Sequence, residues 1–163
     1  MNSFRTLLEE APDDLAYKNA QFRARLPAGR LYTASHYWLE PTATPATWRI
    51  GMTRFATRML GEMVEMDFEI KENEGIHTGQ IVGWMEGFKA TTDLYSVIDG
   101  MFCGANPEVE ADPGYVHGDS HGRGWLYLAE GQPEAGAMNV KGYAQVLDAA
   151  IEKILGEGYV DQT

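Results

Sequence analysis

The spacing of apolar positions divides the chain into a helical start, a long β-textured middle and a helical end. Residues 140–155 carry the clearest period: Tyr143, Val146, Leu147, Ala150, Ile151, Ile154 and Leu155 fall on one face of an α-helix. Asn139 caps its start and Gly156 its end, and the tail to Thr163 is expected to fray. At the other end, residues 3–26 predict two helices. Ser3 caps a short one bearing Phe4, Leu7 and Leu8, stopped by Ala11-Pro12. Asp13 and Asp14 open a second, with Leu15, Tyr17, Ala20, Phe22 and Leu26, stopped by Pro27-Ala28-Gly29.

From Arg30 the period shortens to that of strands. Residues 31–33, 36–39 and 47–51 predict strands, with a loop over 40–45. Thr53 then caps a short helix carrying Phe55, Ala56, Met59 and Leu60, which Gly61 closes. Residues 63–68 alternate apolar and acidic, as a half-buried strand does. Residues 101–104 continue the strand texture, 108–124 read as a loop, and Trp125-Leu126-Tyr127-Leu128 reads as a last core strand. The expected division is a helical extension over 1–29, a β-sandwich core over 30–131 and a packed helix over 138–156.

One stretch organises the rest. Residues 80–85 and 94–98 are apolar, β-favouring runs meeting at a turn, and Lys89 sits near its apex between Glu86 and Asp93. A turn fixed by a sheet presents its tip reproducibly, while the aliphatic stem of a lysine keeps the amine in water. That placement suits covalent attachment of a prosthetic group. On pattern alone the signal is weak, because a lysine in a β-turn is usually an ordinary solvated one.

Composition narrows the classes. At 163 residues and 44% apolar content, the chain can bury one genuine core. No apolar run is long enough to span a bilayer, and the first residues lack the build of a secretion signal, so no membrane partner is expected and the cytoplasm is the expected compartment. A net charge of −11 would repel nucleic acid over most of the surface and suits docking to partners with basic rims. The single cysteine, Cys103, excludes an internal disulfide and a Cys-based zinc site.

Candidate chemistry is sparse. His117 and His121 are four apart, but Gly118, Gly122 and Gly124 argue against the helix a zinc pair would need, and no third ligand is near. Cys103 lies in an apolar run, where a thiol is inert. His36, beside Trp38, reads as a core or rim residue. No pair of side chains suggests acid–base or acyl-transfer catalysis, so no catalytic residue and no metal site is expected. The chain reads as a carrier or binding module and not as an enzyme.

The ordered pieces Tyr32-Thr33-Ala34-Ser35-His36-Tyr37-Trp38, Ile50-Gly51-Met52-Thr53, Leu60-Gly61, Glu86-Gly87-Phe88-Lys89-Ala90, Asp93-Leu94-Tyr95-Ser96, Asn106-Pro107 and Gly124-Trp125-Leu126 resemble the glycine-cleavage H-protein family of lipoyl carriers over roughly residues 31–155. The resemblance implies a mainly β fold with flanking helices, a flattened β-sandwich of the lipoyl-domain (barrel-sandwich hybrid) kind. It implies lipoic acid in amide linkage to Lys89, a lipoate-attaching enzyme as a partner, and Glu86 as a carboxylate which that enzyme recognises. The departures fall within these pieces and directly beside them. Tyr37 stands where the family usually has Glu, Gly87-Phe88 replaces Ser-Val or Thr-Val, Val97 replaces Pro, and Arg123 replaces an acid. A changed client-facing surface of this kind resembles the divergent lipoate-binding members that work with heterodisulfide-reductase-like complexes in bacterial sulfur oxidation. The expectation is therefore a carrier of sulfur-bound intermediates. The alternatives are an H protein serving the glycine-cleavage enzymes, and an unlipoylated binding domain of the same fold.

Overall fold

A computed structural model describes residues 3–156. The elements run α1 (Ser3–Glu9), β1 (Leu15–Asn19), β2 (Phe22–Leu26), β3 (Leu31–Tyr32), β4 (Tyr37–Pro41), β5 (Thr47–Met52), α2 (Arg54–Leu60), β6 (Met63–Phe68), β7 (Gly75–Ile76), β8 (Ile81–Gly87), β9 (Thr91–Tyr95), β10 (Ile98–Ala105), α3 (Pro107–Ala111), α4 (Gly114–Gly118), β11 (Tyr127–Pro133) and α5 (Val140–Gly156). The expected cap by the Ser3 side chain and the expected fraying up to Thr163 lie outside the described residues.

A six-stranded sheet, ordered β3-β4-β5-β11-β10-β7, faces a three-stranded sheet, ordered β6-β8-β9. Every pairing is antiparallel. This is the flattened sandwich of the lipoyl-domain fold. Alternation along β4 shows how one strand serves two cores. Tyr37 and Leu39 point between the sheets, beside Ile50, Met85, Leu94, Ile98, Phe102 and Tyr127. Trp38, between them in sequence, points the other way, into a second core with Tyr32, Phe55, Tyr143, Leu147 and Ile151. The expected helix over 140–155 forms as α5, and Asn139 caps it by accepting from the Gly142 N–H at 3.0 Å.

Four expectations are corrected. Residues 15–26 form the β1–β2 hairpin and not a helix, with Tyr17 opposite Ala24 and Asn19 opposite Phe22. Period-2 burial wins here because Tyr17, Phe22 and Leu26 all reach the second core from an extended chain. The strand expected over 94–98 is interrupted: β9 ends at Tyr95, and the Ser96 side chain turns the chain by donating to the Ile98 carbonyl at 2.7 Å. The expected loop over 108–124 contains α3 and α4. Asn106 caps α3 by accepting from the Glu108 N–H, with Pro107 in the first turn, where its missing donor costs nothing. Finally, Trp125 precedes β11 and is only half-buried, lying under the Arg49 guanidinium. Trp38 is the tryptophan that is wholly enclosed; its Nε1 donates to the Met52 and Ser120 carbonyls, both at 3.0 Å.

Candidate functional site

Lys89 occupies the connection between β8 and β9 and is exposed. Two things fix the connection. The Gly87 N–H donates to the Ala90 carbonyl at 2.9 Å and closes the turn on itself. The turn is then tied to the end of α2: the Phe88 N–H donates to the Glu62 carbonyl at 3.0 Å, and the Lys89 N–H to the Leu60 carbonyl at 2.8 Å. Close approach of the two backbones explains the glycines. A Cβ on Gly87 would penetrate the Leu60 carbonyl, so the family's usual Ser or Thr would not fit here without a shift. Gly61, at φ +80°, ends α2 in a conformation that disfavours side chains, and Lys89 Cγ lies where its Cβ would be crowded.

The side chains of the turn are left free. Lys89 Nζ reaches only the Arg58 carbonyl, at a long 3.5 Å, and among the described residues it makes no ion pair. Phe88 is 77% exposed beside it. Glu86 is also exposed, opposite Thr91 on β9 and Glu65 on β6. Asp93 faces solvent opposite Trp84. A primary amine so placed fits acylation: it is accessible, anchored at its own backbone, and unencumbered by a carboxylate.

Tyr37 lies elsewhere than the sequence suggests. It is 2% exposed, packed between the sheets, and its hydroxyl accepts from the Tyr95 N–H at 3.0 Å. Burial pushes its pKa up to about 12, so it is a neutral core residue and not part of a client-facing surface. Arg123 is likewise absorbed locally, by Glu108 at 2.7 Å and the Tyr115 ring at 4.1 Å. His36 sits on the rim at φ +72°, its Nδ1 2.7 Å from the Tyr143 hydroxyl, and burial lowers its pKa to about 4. His121 is also lowered to about 4, chiefly by burial, and its Nε2 accepts from the Arg54 N–H at 3.1 Å. His117 is on α4, apart from that contact. Cys103 is half-buried at a bulge in β10, where burial raises its pKa. Among the described residues no three His, Cys, Asp or Glu side chains converge as a metal site. No helix among them is long and apolar enough to cross a membrane.

The sandwich and its lysine-tipped β-turn define a protein of lipoyl-domain type. The glycine cleavage H-protein family profile matches residues 30–148. The glycine cleavage system H protein of Micrococcus luteus is 33% identical over 122 residues, covering 73% of this chain and 94% of the relative. That of Mycobacteroides abscessus is 32% identical over 139 residues, covering 85% and 97%. The crystal structure of a glycine cleavage system H protein from Mycobacterium marinum matches with a TM-score of 0.66 at 30% identity, covering 74% of this chain and 97% of that one. The chain belongs to the glycine cleavage H-protein family.

Proposed function

We propose that this chain is a lipoyl carrier of the glycine cleavage system, working in the cytoplasm, with lipoic acid joined to Lys89. The observation that carries the proposal is the exposed, backbone-anchored Lys89 on the β8–β9 turn of a chain in this family. Amide formation at Nζ requires the neutral amine. It releases one proton and the leaving group of the activated acid, and removes the lysine charge. The attached dithiolane would supply reversible thiol–disulfide chemistry at the end of a long arm. The protein's own part is to hold the Lys89 backbone still, keep Nζ in water and offer Phe88 and Glu86 as a flanking surface for the lipoate-attaching enzyme.

The glycine-cleavage reading is backed over the sulfur-oxidation reading. The relatives described above are glycine cleavage system H proteins. Two of the departures that favoured sulfur cargo also lose their force, because Tyr37 is internal and Arg123 is paired. Partnership with a heterodisulfide-reductase-like complex is therefore not carried forward.

Intact-mass measurement of the protein from a lipoate-competent host tests attachment; one lipoyl adduct is expected, lost in Lys89→Arg. An unmodified wild-type chain would favour the unlipoylated binding domain. Reconstitution with glycine-cleavage enzymes tests the assignment of partners: an adduct-bearing protein that fails to support glycine decarboxylation would retain the carrier role and reject this client.

A further inference from the structure

A cavity of about 430 Å³ opens at the start of α2, and three of its nine lining residues are arginines. Arg23 and Arg25 reach it from β2, Arg54 from the first residue of α2, and His117, Asp119 and His121 from α4 and the loop after it. Three guanidinium groups gathered in one concavity stand against a chain whose net charge is −11. α2 separates the cavity from the Lys89 turn: Arg54 at its start lines the cavity, and Leu60 at its end accepts the Lys89 N–H.

The cations are not matched by internal acids. Arg54 is half-buried; its Nη1 donates to the His117 carbonyl at 2.9 Å, and among the described residues it has no carboxylate partner. Burial and the neighbouring Arg58 both disfavour its charge. A desolvated cation without a counter-charge costs free energy, which an anion in the cavity would offset. Arg23 is exposed and likewise unpaired among the described residues, and Arg25 is shared with Asp14 at 3.4 Å. The carboxylate in the wall, Asp119, accepts from the Arg123 N–H at 2.9 Å. The imidazole of His121 is already used by the Arg54 N–H. Arg23 and Arg25 belong to the hairpin that precedes the stretch matched by the family, so this wall is built partly from sequence outside the match.

We infer that this cavity binds an oxyanion group, held by Arg23, Arg25 and Arg54 at the start of α2. Guanidinium forks match the paired oxygens of phosphate and carboxylate, and the volume is that of a small-ligand site. The same chemistry can come from a free small anion or from an acidic side chain of a docking protein.

Calorimetric titration of the full-length protein at low ionic strength, with inorganic phosphate and separately with a glutamate-rich decapeptide, tests the site. Saturable binding of at least one is expected, weakened tenfold or more in the Arg23→Gln/Arg25→Gln variant and unchanged in Arg5→Gln, which alters an exposed arginine on α1. Both arginines of β2 are exposed, so the fold should survive, as a thermal melt would verify. Saturation by phosphate assigns the site to a free anion; saturation by the peptide alone assigns it to a partner's side chain; either supports the inference. No saturation by either probe, or equal weakening in Arg5→Gln, overturns it. The same titration of the Lys89→Arg protein keeps the result separate from lipoylation.

Discussion

The molecule has two prominent hairpins that are held in opposite ways. The β8–β9 hairpin docks its turn through main-chain donors, Phe88 N–H and Lys89 N–H, so the side chains at its tip stay outside. The β1–β2 hairpin docks through its side chains: Tyr17, Phe22 and Leu26 enter the second core, and the Tyr17 hydroxyl donates to Asp148 at 2.7 Å. Main-chain docking frees side chains for work on other molecules. Side-chain docking uses them up and leaves only the opposite face, here Arg23 and Arg25, for solvent.

The largest expected effect is on the seat of the first hairpin. Trp38→Ala removes a wholly buried indole and both its hydrogen bonds, and should cost about 3–5 kcal/mol in chemical denaturation. Trp125→Ala, at a half-buried site, should cost only about 1–2 kcal/mol; equal losses would mean that the two tryptophans are not in different environments. Acid should separate the hairpins next. His36 and His121 have pKa values near 4 when folded, against about 6.5 unfolded, so the unfolded chain binds more protons between those values. The stability held by the neutral imidazoles is intact above pH 6.5 and is lost as pH falls toward 4, by about 2 kcal/mol per histidine at pH 5. His36 packs on Phe55 of the second core, and His121 accepts the N–H of Arg54, the neighbour of Phe55 in α2. Hydrogen exchange at pH 5 should therefore expose the amides of 15–26 before those of 81–95, and the reverse order would break the comparison. Gly87→Ala attacks the other seat. The added methyl meets the Leu60 carbonyl, for a cost of about 2 kcal/mol and slower lipoylation by intact mass. Phe88→Ala should change stability by less than about 0.5 kcal/mol while still slowing attachment, because the ring is exposed.

These contrasts also explain what could be read from sequence. The Lys89 turn was legible because apolar runs flank it, and α5 because its period is regular and Asn139 caps it. The first hairpin was hidden. Its two-residue connection, Ala20-Gln21, contains no glycine although Ala20 adopts φ +53°, and Asp13-Asp14 imitates a helix start. Leu15, Phe22 and Leu26 also fall on one helical face, so a helical period fits most of so short a stretch. α3 carried a usable signal in Asn106-Pro107, which is a cap and first turn as well as a bend. Gly87 gave no hint of its role, since the atom that forbids a side chain there belongs to Leu60. The cationic cavity is assembled from three separate segments, so no local pattern announces it.

The two amide tethers from residues 88 and 89 to the far end of α2 have a mechanical consequence. They make the lysine Cα a stationary pivot, so whatever is bonded to Nζ sweeps a region whose centre is set by the scaffold and whose radius is set by the attached chain alone. A client enzyme can then be reached only if its own entrance lies inside that sphere when the two proteins dock, and lengthening the tether chemically should widen the choice of clients without any change in the polypeptide.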